Sequence, residues 1–236
     1  MHILIDAEPI APVFMPKLFT NLENYEYEQP GNTGDTGGGS EKPHGTYTLT
    51  PGPGTLDVQV MPAAPYNNFY FYTNLQTASE QSRFVWGGGW CFPTEADRSA
   101  SQGLEWEIEL CLGGDVWNMA WQILLKPGSN EKQGFRAFDY THSKWVAVPA
   151  VPFDPHWLDP GKILICEAEY ISGRTAEQHV ALTVNGNRTP VTFSQPCRAD
   201  RWDAHSNYVH YAFQLDADGG ATPYRAVLHG LKAQVL

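Results

Sequence analysis

Along most of the chain, apolar and polar residues alternate with a period of two in runs of four to thirteen residues, and turn-forming residues punctuate them. A period of two places successive side chains on opposite faces, so each run predicts a strand with one buried face. Thr46–Thr50 and Thr55–Val60 flank Pro51-Gly52-Pro53-Gly54; Asn68–Thr73 follows Pro65; Arg83–Trp86 ends at Gly87-Gly88-Gly89. Leu104–Leu112 and Val116–Leu125 are separated by Gly113-Gly114-Asp115, the length and chemistry of a hairpin connection. Further strands are predicted at Phe135–Phe138, Lys144–Val148, Lys162–Ile171, His179–Val184, Arg188–Phe193, Tyr208–Leu215 and Tyr224–Leu236, with Asn185-Gly186-Asn187 turning the chain between two of them. No helical periodicity persists long enough to predict a long helix.

Residues 21–45 break this pattern. They contain Gly37-Gly38-Gly39 and Pro43, and they predict a Gly-rich surface loop. No Gly-Lys-Ser/Thr follows the glycines, which argues against a phosphate-cradling loop. No repeat and no shift of composition divides the remaining strands, so residues 1–236 are expected to form one domain. So many antiparallel strands in one chain predict an all-β fold, a two-sheet jelly-roll sandwich.

Composition narrows the partners. The formal net charge is −11, from 15 Lys and Arg against 26 Asp and Glu, and no basic cluster relieves it. Such a chain repels a phosphate backbone, so nucleic acid is not an expected partner. Met1-His2-Ile3-Leu4-Ile5-Asp6 has neither the cationic start nor the apolar run of a signal peptide, and membrane insertion is not expected of a chain with no long apolar window. The compartment stays open. Cys91, Cys111, Cys166 and Cys197 are scattered, without a Cys-x-x-Cys pair, and are expected to be buried free thiols, with two disulfides as the alternative.

The densest chemistry lies in Leu104-Glu105-Trp106-Glu107-Ile108-Glu109-Leu110-Cys111-Leu112. Alternation sends Leu104, Trp106 and Ile108 to the core and Glu105, Glu107 and Glu109 to the other face. Across the hairpin, Asn118 and Gln122 join the acids on one polar sheet surface, while Trp117, Met119, Trp121 and Ile123 form the apolar row. Glycoside hydrolysis needs two carboxyl groups flanking one bond, roughly 5–5.5 Å apart in a retaining mechanism. Same-face neighbours on a strand lie about 6.6 Å apart at Cα, within reach of that requirement. Solvated acids paired with Lys126, Arg136 and Lys144 are the plainer alternative.

Eight Trp and eleven Tyr supply flat rings with a polar edge, the surface on which sugars stack. Trp86 and Trp90 beside the glycine run, Trp157 in Pro155–Pro160, and Trp202 with His205 in Arg201–His205 are expected in loops and are the candidate sugar-binding residues. No His-Glu-x-x-His or Gly-x-Ser-x-Gly pattern is present, so no metal ligands are assigned and no cofactor is expected. Asp216-Ala217-Asp218-Gly219-Gly220 resembles part of a calcium loop, but it lacks the remaining ligands and reads better as a hairpin turn.

The strand layout over residues 46–236 resembles the concanavalin A-like lectin and glucanase sandwiches. The Glu105-Trp106-Glu107-Ile108-Glu109 run resembles the acidic strand of the laminarinase, lichenase and agarase group. That resemblance implies a carbohydrate partner, held on a concave sheet face. It also implies, as the alternative to pure recognition, a retaining hydrolase with Glu105 as nucleophile and Glu109 as acid/base. Two departures stand against the enzyme: the middle acid is Glu107 where the group has Asp, and the residue after Glu109 is Leu110 where the group has an aromatic. A structural or adhesion domain without a small ligand is the third reading. The oligomeric state is not legible.

Overall fold

The computed structural model describes residues 26–28, 45–52, 54–76, 83–112, 115–129, 131–139, 144–171, 178–193, 200–201 and 208–235. The strands in chain order are β1 (Glu26–Glu28), β2 (Thr46–Gly52), β3 (Thr55–Met61), β4 (Asn68–Gln76), β5 (Arg83–Cys91), β6 (Ser101–Leu112), β7 (Asp115–Leu124), β8 (Gly134–Asp139), β9 (Lys144–Ala147), β10 (Leu164–Ile171), β11 (Gln178–Val184), β12 (Asn187–Phe193), β13 (Asp200–Arg201), β14 (Tyr208–Ala217) and β15 (Tyr224–Val235). A single-turn-and-a-half helix, α1 (Glu95–Ala100), and a 3-10 turn at Pro155–Leu158 are the helical pieces among the described residues.

These strands form the two-sheet antiparallel sandwich that the alternation predicts. The larger sheet runs β1-β4-β14-β6-β7-β8-β9, with β13 beside β7, and the smaller runs β12-β11-β10-β5-β15-β3-β2. Consecutive strands repeatedly change sheet, which places β14, late in the chain, against β6 in the middle of the larger sheet. No helix among the described residues is long and apolar enough to cross a membrane.

Inner faces supply the core. Leu104, Trp106 and Ile108 from β6, Met119, Trp121 and Ile123 from β7, and Tyr211, Phe213 and Leu215 from β14 meet Phe84, Trp86 and Trp90 from β5 and Leu56, Val58 and Leu228 from β3 and β15. The two layers touch through rings: Trp90 lies 6.1 Å from Trp106 and 6.2 Å from Phe213, and Trp86 lies 5.2 Å from Tyr211, centroid to centroid. Trp86 Nε1 also donates to the Ala212 carbonyl on β14 at 3.0 Å. Large aromatic areas removed from water on both sides of the interface are the main stabilising term.

Three local features correct or sharpen the sequence reading. The strand expected to stop at Gly87 continues to Cys91, because the Cys166 carbonyl of β10 sits 1.9 Å from where a Cβ on Gly87 would lie. Glycine here permits the close approach of a neighbouring backbone. Trp86 and Trp90 are therefore core residues, at 0% and 1% exposure, and the loop placement expected of them is wrong. Within the expected loop at 21–45, Glu26–Glu28 pairs as a strand with Tyr70–Tyr72 on β4. The turn between β11 and β12 is the two-residue Asn185-Gly186 hairpin, both residues having positive φ, 47° and 81°.

Cys91 and Cys166 are buried free thiols, with burial raising both pKa values. Cys197 lies outside the described residues, as does the Cys111 side chain. The smaller sheet ends in β2 and β12. Each of these edge strands carries a proline, Pro51 and Pro190.

Candidate functional site

The outward face of the larger sheet carries the acids. Antiparallel register sets one polar side chain from each of five adjacent strands in a line: Tyr70 on β4, Gln214 on β14, Glu105 on β6, Gln122 on β7 and Arg136 on β8. At the usual ~4.8 Å between neighbouring strands this row spans about 19 Å. The next rung along β6 holds Glu107 between Ala212 and Ala120, and the rung on the other side holds Gly103 between Asp216 and Leu124. Ala212, Ala120 and Leu124 on these rungs are 0–3% exposed.

Gln122 ties the centre together. Its Nε2 donates to Glu105 Oε1 and, at 3.2 Å, to Asp216 Oδ2. Its Oε1 accepts from both Nε, at 2.8 Å, and Nη2 of Arg136. Arg136 Nη1 reaches Glu131 Oε1 at 2.5 Å, and its guanidinium lies 5.7 Å from the Trp145 ring centre. Trp145 in turn packs edge-on to Phe138 at 5.1 Å, an aromatic border to the polar row. Gln214 Nε2 donates to Asp216 Oδ1 at 2.7 Å, and the Tyr70 hydroxyl donates to Glu107 Oε1.

Glu105 and Asp216 lie diagonally across the β6–β14 ladder, since Glu105 faces Gln214 and Asp216 faces Gly103. Shielding from water raises the Glu105 pKa well above the usual carboxylate range, and the negative charge of Asp216 pushes it further up. The Asp216 pKa is also raised by burial, against the opposing pull of hydrogen bonds from Glu105, Gln214 and Gln122. Donors converge on Asp216, so of the two it is the better placed to carry the negative charge.

The remaining expected site residues separate. Glu109 and Asn118 face each other in register on the same strands, and their side chains lie outside the described part. Trp157 sits in the 3-10 turn, 6.3 Å from Phe153 and packed against the core. Trp202 and His205 fall outside the described residues. Of the expected cationic partners, Arg136 joins the row, whereas Lys126 pairs with Asp218. Asp216 belongs to β14 and faces Gly103, diagonal to Glu105, while Asp218, in the turn expected from Asp218-Gly219-Gly220, also accepts from the Gly220 amide at 2.9 Å.

Sequence reasoning passed over Asp216, Gln214, Tyr70, Trp145 and Gly103 as site members. The alternation of Tyr211, Phe213 and Leu215 with Gln214 and Asp216 does mark the polar face of β14, but nothing local names β6 as its neighbour. A separate open hollow of ≈ 420 Å³ lies on the outer face of the smaller sheet, lined by Thr48, Asp57, Gln59, Asp97 and Arg225 among others. Its guanidinium is committed to Asp57, and the Arg225 amide to Asp97 at 2.8 Å.

No protein-family model matches the sequence, and the search of curated proteins gave no match. Among solved structures, the chain is similar to the carbohydrate recognition domain of Emp46p in its potassium-bound form (8% identity, 91% of this chain and 89% of that chain, TM-score 0.47). It is also similar to peanut lectin (10% identity, 90% and 97%, TM-score 0.45) and to the alginate lyase Aly36B (11% identity, 90% and 98%, TM-score 0.49). At such identities and scores the description of the site rests on this chain's own residues.

Proposed function

We propose that the protein is a carbohydrate-recognition sandwich that takes a poly- or oligosaccharide on the outward face of its larger sheet. The observation that carries this reading is the row Tyr70–Gln214–Glu105–Gln122–Arg136. Amide, carboxyl, hydroxyl and guanidinium groups, fixed by hydrogen bonds on adjacent strands, are the kinds of donor and acceptor with which a hydroxyl-rich chain pairs. Trp145 and Phe138 add a stacking surface at one end of the row. Calorimetric titration with glucans, galactans, xylans, mannans and alginate tests the reading. Binding to at least one, weakened tenfold or more by Gln122→Ala and by Trp145→Ala, is the expected result; no binding to any of them sinks it in favour of a structural domain.

One observation favours glycan cleavage as a second reading. Glu105 and Glu107 are same-face neighbours in different surroundings, the first against the Asp216 carboxyl and the second accepting from the Tyr70 hydroxyl. Two carboxyls held in contrasting environments is how acid and base roles are divided at one bond. In that reading Glu105 is the proton donor, exchanging the nucleophile role implied by the glucanase resemblance, and Glu107 or Glu109 is the ionised partner.

A further inference from the structure

We propose that Glu105 and Asp216 hold one proton between them, as a carboxylic acid donating to a carboxylate, and that this proton keeps the polar row of the larger sheet assembled. The geometry starts from Gln122: a single amide nitrogen donates to an oxygen of each acid, so the two carboxyl groups are brought to the same few ångströms. Asp216 is 5% exposed, and among the described residues neither acid is ion-paired with Lys, Arg or His. Two full negative charges at that separation, away from bulk water, repel strongly, and one shared proton turns repulsion into a hydrogen bond. Gly103 makes room for the arrangement, since a Cβ there would lie 3.2 Å from Asp216 Oδ2 and 3.4 Å from Gln122 Nε2.

The charged and titratable groups around the pair are few. From β8 comes Arg136, whose guanidinium is turned to Gln122 and Glu131; from β4 comes Tyr70, bonded to Glu107; β6 itself adds Glu107; and from β15 comes Tyr224, whose pKa burial raises and the Asp216 charge raises further. Along the same face, register places His210 of β14 opposite Glu109 of β6, two rungs beyond Glu105. Both burial and the mutual charge raise the pair's affinity for its proton. When the proton leaves, the carboxylates must part, and Gln122 cannot serve both. Because the same Gln122 holds Arg136 through its carbonyl oxygen, the break passes along the row to Arg136 and Trp145. Any effect on sugar binding rests on the carbohydrate reading above; the proton itself does not, and it is measured without ligand.

The test uses the ligand-free full chain. Infrared difference spectra across a pH series are expected to show a protonated-carboxyl band at neutral pH, lost in Glu105→Gln and retained in Glu95→Gln, a change confined to an exposed acid of α1. The side-chain amide resonances of Gln122 are expected to shift with pH in step with that band. Folding raises both pKa values, so the folded chain binds more protons than the unfolded one between the two sets of values, and stability falls as pH rises through that window. Glu105→Gln, which donates an amide hydrogen to Asp216 at every pH, is expected to lose that fall in melting temperature. Should Glu105→Gln not fold, Asp216→Asn carries the same three readouts. Absence of the band at neutral pH, its persistence in Glu105→Gln or Asp216→Asn, or Gln122 resonances indifferent to pH overturns the proposal. Sugar binding with no such proton leaves the carbohydrate reading standing, and the proton without sugar binding leaves this one standing.

Discussion

The Asp216 side chain leans over Gly103, its Oδ2 lying 3.2 Å from the position a Cβ on that glycine would take. The glycine is thus a gap that the acid uses to reach Gln122 and Glu105. Gly103→Ala also drives its methyl to 2.9 Å from the Ile123 carbonyl, a backbone atom that cannot swing away. We expect a loss of about 1–3 kcal/mol of stability from this overpacking and a weaker grip of Gln122 on Asp216, both readable by urea unfolding and by the Gln122 side-chain amide signals.

Trp86 and Trp90 are equally buried but differ in their polar edge. Trp86 Nε1 donates to the Ala212 carbonyl, whereas Trp90 Nε1 is buried without an acceptor among the described residues. Trp86→Phe abandons a buried hydrogen bond, at a cost of about 1–3 kcal/mol beyond the lost ring area. Trp90→Phe removes a donor that was already unsatisfied and is expected to be the milder change. Chemical denaturation of the two variants side by side checks the order; equal losses contradict it.

Arg136 is 9% exposed and holds both Gln122 and Glu131. Arg136→Met strands the Gln122 carbonyl oxygen and is expected to cost about 1.5–3 kcal/mol, as for hydrogen bonds to a charged group. Glu131 is far more open, with its side chain 47% exposed, so Glu131→Gln is expected to cost no more than about 1 kcal/mol. Thermal unfolding at low and high salt separates the two: the Glu131→Gln loss shrinks with salt, and the Arg136→Met loss persists.

Long incubation with any oligosaccharide that binds decides between recognition and cleavage. The expected outcome is bound, uncut sugar, since the acidic strand departs from the glucanase pattern at Glu107 and Leu110. New reducing ends that vanish in both Glu105→Gln and Glu107→Gln, with the fold and binding retained, establish the hydrolase instead.

The β6–β7 hairpin was legible because a one-residue slip would bury Glu105, Glu107 and Glu109 and expose Trp106, which leaves one register open to the chain. The same alternation put Glu105 and Gln122 on a shared surface. Other parts were masked by chemistry with two uses. Gly87-Gly88-Gly89 carries the signal of a turn, but in β5 the missing side chains admit the β10 backbone. Asp216 stands two residues before the Asp218-Gly219-Gly220 turn, and turn composition hid its strand. Its neighbour β6 is more than a hundred positions earlier in the chain, a pairing set by tertiary packing that no local pattern encodes. The six-residue α1 carries a reciprocal capping box of Thr94 and Asp97, but two such polar residues in a turn-rich stretch do not stand out.

Pro51 and Pro190 sit on β2 and β12, the outermost strands of the smaller sheet among the described residues. A proline has no amide hydrogen, so each interrupts the row of donors that a strand from another molecule would need to zip along that border. The larger sheet closes at one side with the four-residue β9, too brief to template much pairing. Replacing Pro51 and Pro190 together with threonine is therefore expected to leave the chain folded yet hasten its gelation on concentration.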